Sequence, residues 1–260
     1  MNDVLYSVDD AVATIVINRP EAMNSLTSRA KTALLEAVTA ASQERAVRAV
    51  LLTGTGRAFC AGQDLSEHAA NLEAGRGLDD TVRTRYNPIV RMITEMDKPV
   101  VAAVNGVAAG AGAALAFACD LRIASEKARF AMAFSGIALA PDSGASWTLQ
   151  RLVGAGRAAE LLLLGEPIGS ARALELGIVS QVIPADELGT AARALAVRLA
   201  QGPTSAYTAT KRALRFASTS SLAEALELEA DLQDACARTD DHLNATRAFL
   251  AKERPVFQGR

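Results

Sequence analysis

A chain of 260 residues with a formal net charge of −2 is long enough to bury a large core, as one big domain or a domain with an appendage. Half of its residues are hydrophobic, which excludes a disordered chain, and its 29 acids nearly balance its 27 bases, which argues against nucleic-acid binding through phosphates or anchoring on an anionic membrane. The longest apolar stretch, Pro99 to Cys119, is interrupted by Asn105, Gly106, Gly110 and Gly112 and runs into Asp120, so it does not read as a spanning helix.

Met1 to Asp9 contain no basic segment followed by an apolar run, so no secretory signal is expected. Val12–Asn18 is short and β-branched and predicts a strand that Arg19-Pro20 ends. Ser28–Ala41 places Ala30, Leu34, Leu35 and Val38 on one face of a helix. A second strand is predicted over Val47–Thr53, closed by Gly54 and Gly56. The polar stretch His68–Asp80 has little periodicity and reads as a mobile loop. Tyr86–Met96 reads as a helix stopped at Lys98-Pro99, and Val100–Val104 and Asp120–Ala124 as two further strands. Strands alternating with helices imply crossover units and a largely parallel sheet.

From Trp147 onward helical periodicity dominates, over Arg157–Leu164, Ser170–Leu176, Ala185–Ala200 and Ser221–Ala237, with one apolar run at Ile178–Ile183. The expected organisation is an α/β core over 1–200 and a helical C-terminal region over 201–260. Cys60, Cys119 and Cys236 are widely spaced and show no CxxC pairing, and His68 and His242 are far apart in sequence. A reduced cytoplasmic protein without a metal site is the expectation.

Three segments are candidates for chemistry. Arg57 to Leu65 follows a strand and is built of small residues, so a turn there can present backbone N–H groups, though it also fits an ordinary strand-to-helix turn. Asn105 to Ala114 is a glycine-rich turn into a helix, whose free N–H groups and positive dipole end favour an anion. It lacks GxGxxG spacing and the P-loop lysine, so it suits an oxyanion better than a phosphate chain; close helix packing is the bland alternative. In Ser135 to Trp147 the acid Asp142 stands among Phe134, Ile137, Leu139 and Trp147. There it fits either a helix N-cap or a partly desolvated general base with a raised pKa.

Together, Asn18-Arg19-Pro20 with Asn24, AFCAGQDL, KPVVAAVNGVAAGAGAALA, CDLRIAS, KARF and the C-terminal AFLAKERPVF resemble the crotonase, or enoyl-CoA hydratase/isomerase, superfamily over nearly the whole chain. The resemblance implies a ββα spiral core with a helical trimerisation region, and an acyl-CoA substrate whose thioester oxygen is held by the backbone N–H groups of Gln63 and Ala111. It implies self-association as a homotrimer or a dimer of trimers, and no cofactor beyond the CoA of the substrate. No nucleic-acid or membrane partner is expected. The substrate-contacting positions it implies are Arg19, Asn24, Ala58, Ala61, Asp64, Leu65, Tyr86, Gly110, Phe134, Pro141 and Lys252. The family's hydratases use two glutamates, which would fall at Ala114 and Phe134, and neither acid is present.

That departure leaves the proton work to Asp142. Tyr86-Asn87-Pro88, Ala131 to Ser135, Pro141-Asp142 and Trp147 resemble a subgroup of the family that opens an arene epoxide on an acyl-CoA to an oxepin and also shifts enoyl-CoA double bonds. The expected function is therefore an acyl-CoA isomerase. A general Δ3,Δ2-enoyl-CoA isomerase or hydratase-like enzyme is one alternative, and a non-catalytic acyl-CoA-binding subunit is another. Trp147 is expected to pack under Asp142, Glu67 and His68 to lie in the mobile loop, and Cys60 to be buried and inert.

Overall fold

The computed structural model describes residues 2–77 and 80–259. It begins with a hairpin, β1 (Val4–Asp9) and β2 (Val12–Ile17), paired antiparallel from Val4 opposite Ile17 to Asp9 opposite Val12. Its two turn residues, Asp10 and Ala11, both have positive φ, which matches the twist of a two-residue hairpin. Helix α1 (Ser28–Gln43) is capped by the Thr27 hydroxyl, and Lys98 Nζ closes its far end by donating to the carbonyls of Ala41 (2.6 Å) and Glu44 (2.7 Å).

The chain then repeats one manoeuvre three times, each long strand being followed closely by a short one. The first pair is β3 (Ala49–Gly54) and β4 (Ala58–Cys60), followed by α2 (Leu65–Glu73), a π-helical turn at Val82–Tyr86 and α3 (Asn87–Glu95). The second is β5 (Val100–Val104) and β6 (Val107–Ala109), followed by α4 (Ala111–Ala118), and the third is β7 (Leu121–Ser125) and β8 (Arg129–Ala131). After these come α5 (Ala145–Val153), α6 (Ala155–Leu164), β9 (Ile168–Gly169), α7 (Ser170–Glu175), β10 (Gln181–Ile183) and α8 (Leu188–Ala200). Helices α9 (Thr204–Ala217), α10 (Leu222–Ala237) and α11 (Asp240–Ala251) complete the chain.

The long strands, with the three-residue β10 at one edge, build a six-stranded sheet in the order β1-β2-β3-β5-β7-β10, parallel from β2 onward. The short ones build a four-stranded sheet, β4-β6-β8-β9, with only β9 antiparallel. This is the ββα spiral that the resemblance implies. Helices α1, α3 and α4 share the main core with the six-stranded sheet and Phe59, Ala108 and Phe130 of the short strands, and α8 covers the other face against Val12, Leu51, Val101 and Ile123. Every residue of α4 is buried, which explains its unbroken run of small and apolar side chains. Helix α9 is tied back to the core by Lys211, which meets Asp120 at 2.7 Å and donates to the carbonyl of Lys98. Among the described residues no helix is long and apolar enough to cross a membrane.

The structure corrects parts of the sequence reading. The stretch from His68 is not a loop, because α2 holds His68 and runs to Glu73; it buries none of its residues and therefore carries no apolar stripe. Leu78 and Asp79 of that predicted loop lie outside the described residues. Trp147 does not pack under Asp142, since it is 39% exposed and stacks on the Arg151 guanidinium at 3.8 Å. Gly112 holds the two sheets' connections together: a Cβ there would run into the backbone carbonyl of Cys60. Replacing Gly112 by Ala should overpack the α4–β4 contact and cost roughly 1–3 kcal/mol of stability, read from the denaturant midpoint.

Candidate active site

A cavity of about 350 Å³ opens where the turn after β4, the turn before α4 and the Phe134–Asp142 segment meet. Of the residues implied by the sequence, Ala61, Gln63, Leu65, Tyr86, Gly110, Ala111, Phe134 and Asp142 all line it.

Backbone pairing explains why two N–H groups there are free. The segment at 61–64 runs parallel to the one at 23–26: Ala61 N–H donates to Met23, Leu26 N–H to Gly62 and Asp64 N–H to Leu26. In such a ladder alternate N–H groups face away from the partner, so the Gln63 N–H is left unused. Ala111 is the first residue of α4, and a first-turn N–H has no intrahelical acceptor. Neither group donates to a protein acceptor among the described residues. The two turns are pressed together at Gly62, which has φ +87°, and whose Cβ, were there one, would stand 2.8 Å from the Ala109 carbonyl and 3.3 Å from Ala111 N. Two such donors on one cavity can receive an oxygen that is gaining negative charge.

Asp142 does not cap α5. That helix begins after Gly144 with no side-chain cap, and the Asp142 carboxylate instead accepts the Ser143 hydroxyl at 2.8 Å. Ser143 and Gly144 both adopt left-handed backbone, with φ of +51° and +74°, a strained turn of the kind found at working sites. Burial raises the Asp142 pKa above the ordinary carboxylate value, while the Ser143 hydroxyl and the Lys31 ammonium partly oppose that rise. Asp142 is the one carboxylate among the cavity-lining residues. The two positions where a hydratase would carry glutamates form an apolar contact: Ala114, fully buried, packs with Phe134 and Ala145.

The remaining expected contact residues are not on the cavity wall. Arg19 is spent on Asp64 (2.9 Å) and the Ser25 carbonyl, and Asp64 also caps α2 by accepting from Glu67 N–H. The buried Asn24 side chain donates to the carbonyls of Thr55 and Ala58 and accepts from Arg19 N–H, so it holds a turn. Ala58 is sealed inside β4, Pro141 faces solvent, and Lys252 ends α11 in left-handed backbone. Glu67 accepts from the Ser28 backbone and hydroxyl rather than facing the cavity. Cys60 is fully buried, and burial pushes its thiol up to about 12, which keeps it neutral. Among the described residues no cluster of His, Cys, Asp and Glu is able to hold a metal ion.

Sequence reasoning missed Lys31, which is 1% exposed and donates to Gln63 Oε1 at 2.9 Å. A signal was present: Lys31 lies three and seven residues before Leu34 and Val38, on the apolar stripe of α1, where an unpaired charge is out of place. His68, Thr81 and Met23 also line the cavity and were not assigned to it.

The chain matches the enoyl-CoA hydratase/isomerase family over residues 7–260. It is 41% identical to the 1,2-epoxyphenylacetyl-CoA isomerase of Escherichia coli K12, with both chains covered completely. It is 40% identical to a probable enoyl-CoA hydratase of Rhodobacter capsulatus, over 99% of this chain and 98% of that one. To the trans-2-decenoyl-[acyl-carrier-protein] isomerase of Streptococcus mutans it is 35% identical, again over 99% and 98%. A solved family structure from Mycobacterium abscessus superposes with a TM-score of 0.95 at 44% identity, covering 99% of this chain and all of the other. The protein belongs to the enoyl-CoA hydratase/isomerase family.

Because burial disfavours its ionised form, Asp142 should titrate above the ordinary aspartate value of about 3.9. Replacing Ser143 by Ala removes a hydrogen bond to the carboxylate and should move that midpoint further up. Carbon-detected NMR titration of the Asp142 side chain checks both.

Proposed function

We propose that the protein is an acyl-CoA isomerase that works through a thioester enolate, with 1,2-epoxyphenylacetyl-CoA as the foremost candidate substrate. The observation that carries this reading is the single carboxylate: Asp142 lines the same cavity as two free backbone donors, with an alanine–phenylalanine contact where a second acid would be needed. The likeness to the Escherichia coli isomerase over the full chain supports the choice of substrate.

In this reading the thioester oxygen sits on the N–H groups of Gln63 and Ala111. The Asp142 carboxylate takes a proton from the carbon next to the thioester; that C–H bond breaks and its electron pair enters the carbonyl, giving an enolate. Each backbone donor aimed at the developing oxyanion is worth roughly 3–4 kcal/mol. For a double-bond shift, the protonated Asp142 returns the same proton two carbons along the conjugated system as the carbonyl re-forms. No proton is gained or lost, so one carboxylate suffices, whereas adding water across a double bond calls for a group that activates the water and a group that protonates carbon. With an epoxide substrate the same donors hold the charge that develops as the ring expands. A general Δ3,Δ2-enoyl-CoA isomerase would use the same residues, and substrate profiling separates the two. The substrate's own CoA is the only cofactor this scheme uses. The apolar side chains left exposed on α9–α11, such as Leu214, Leu222 and Phe249, support self-association, which this reading takes to be a homotrimer or dimer of trimers, with the cytoplasm as its expected location.

Purified protein given 1,2-epoxyphenylacetyl-CoA, a 3-enoyl-CoA and crotonyl-CoA should form the oxepin thioester and the 2-enoyl-CoA and should hydrate crotonyl-CoA poorly. Asp142→Asn should lose at least about 100-fold in isomerisation rate while binding the thioester within a few-fold of the parent. Efficient hydration, or full isomerase activity in Asp142→Asn, contradicts the reading.

A further inference from the structure

The Gln63 side chain is gripped from two directions. Lys31 Nζ on α1 and the Tyr86 hydroxyl both donate to its Oε1, each at 2.9 Å. Lys31 Nζ also donates to Thr81 Oγ1 at 2.8 Å and stands 5.0 Å from the centre of the Tyr86 ring. Lys31 and Tyr86 are each 1% exposed, so neither can swing into water. The three groups come from α1, the turn after β4 and the π-helical turn before α3, and they meet at the edge of the cavity that Gln63, Thr81 and Tyr86 line.

A lysine ammonium is costly to bury, and burial pulls its pKa below the usual lysine value. The charged groups that act on it are Glu67, Asp64 and Asp142, which favour its ionised form, and Arg85, which opposes it. An apolar residue would fill this place on α1 at less cost, and the hydrogen bonds show what the ammonium does there. With Tyr86 it occupies the acceptor positions of the Gln63 carboxamide and removes its freedom to rotate.

We propose that Lys31 is a positioning residue for the acyl-CoA site: together with Tyr86 it pins the Gln63 carboxamide, fixes the Gln63 N–H toward the thioester, and places positive charge behind that donor. The proposal rests on the reading of Gln63 as an oxyanion donor. It differs from an ordinary packing role in what it affects, because the loss of Lys31 acts on carbonyl polarisation more than on affinity.

Cinnamoyl-CoA is a suitable probe, since it has no proton for an isomerase to shift and its absorption moves to longer wavelength as its carbonyl is polarised. The wild-type protein should bind it with a red shift. Lys31→Met should bind it within about threefold of the wild-type affinity but with less than half the red shift, and its kcat on a 3-enoyl-CoA should fall about 10-fold or more with little change in KM. Lys31→Arg, which keeps charge and donors, should restore most of both. Tyr86→Phe keeps the ring and removes only the second donor to Gln63, so it tests the same clamp should Lys31→Met fail to fold; a partial loss of red shift is expected. A full red shift with wild-type kcat in folded Lys31→Met, or a full red shift in Tyr86→Phe, overturns the proposal. A wild-type red shift that is lost in Lys31→Met, without turnover of any isomerase substrate by the wild type, upholds the clamp and refutes the isomerase reading alone. No red shift in the wild type refutes both.

Discussion

No side chain fits between Gly112 and the carbonyl of Cys60, and that close approach is the constraint on which the site depends. It seats α4 directly against the end of β4, beside the strand β6 with which β4 pairs. Two turns that lie about fifty residues apart in sequence are thereby brought edge to edge, again without a side chain between them at Gly62. Each turn leaves one N–H unsatisfied for a reason of backbone geometry, one by the alternation of a parallel ladder and the other by its place at a helix start. The smallness of Gly62 and Gly112 is therefore spent on backbone approach, beside the cavity that Ala61, Gly110 and Ala111 line.

What faces those donors decides the chemistry. Asp142 reaches the cavity from a strained turn, with burial raising its pKa and the Ser143 hydroxyl partly opposing that rise. A carboxylate poised in this way can take a proton from carbon and give it back. Ala114, Phe134 and Ala145 form an apolar contact at the positions where the family resemblance would place a hydratase's acids. Under the proposed reading, the same scaffold is biased toward moving a proton within the substrate. At the cavity edge, buried Lys31 and Tyr86 both donate to the Gln63 side chain, and under the proposed reading they support the donor that faces the thioester.

Strands β2, β3, β5 and β7 were legible because β-branched runs such as VATIVI and VVAAV have no other comfortable home, β1 was not predicted, and α1 was legible from its stripe of Ala30, Leu34 and Val38. The four-stranded sheet was not, since strands of two or three residues such as β4, β6 and β9 are too short to show any alternation. Helix α2 was invisible for the opposite reason: it buries nothing, so its pattern is that of a loop. At the site, Gln63, Ala111 and Asp142 could be found from motifs, but that the Asp142 side chain does not cap α5 was not legible, because it turns on which N–H groups lie near the carboxylate. Arg19, Asn24 and Asp64 stand in the motifs and also tie turns together, a use that residue identity alone does not reveal. Lys31 was legible only as an anomaly, a charge on an apolar stripe.

The central claim is that Asp142 exchanges a proton with the carbon next to a thioester held on two backbone N–H groups. The direct measurement is NMR-monitored deuterium exchange into the α-position of a saturated acyl-CoA, such as phenylacetyl-CoA, incubated with the protein in D2O, since this isolates proton abstraction from every later step. The account predicts exchange catalysed by the wild-type protein and lost in Asp142→Asn. Exchange at an undiminished rate in Asp142→Asn, or none above background with the wild type when the thioester is bound, would contradict it.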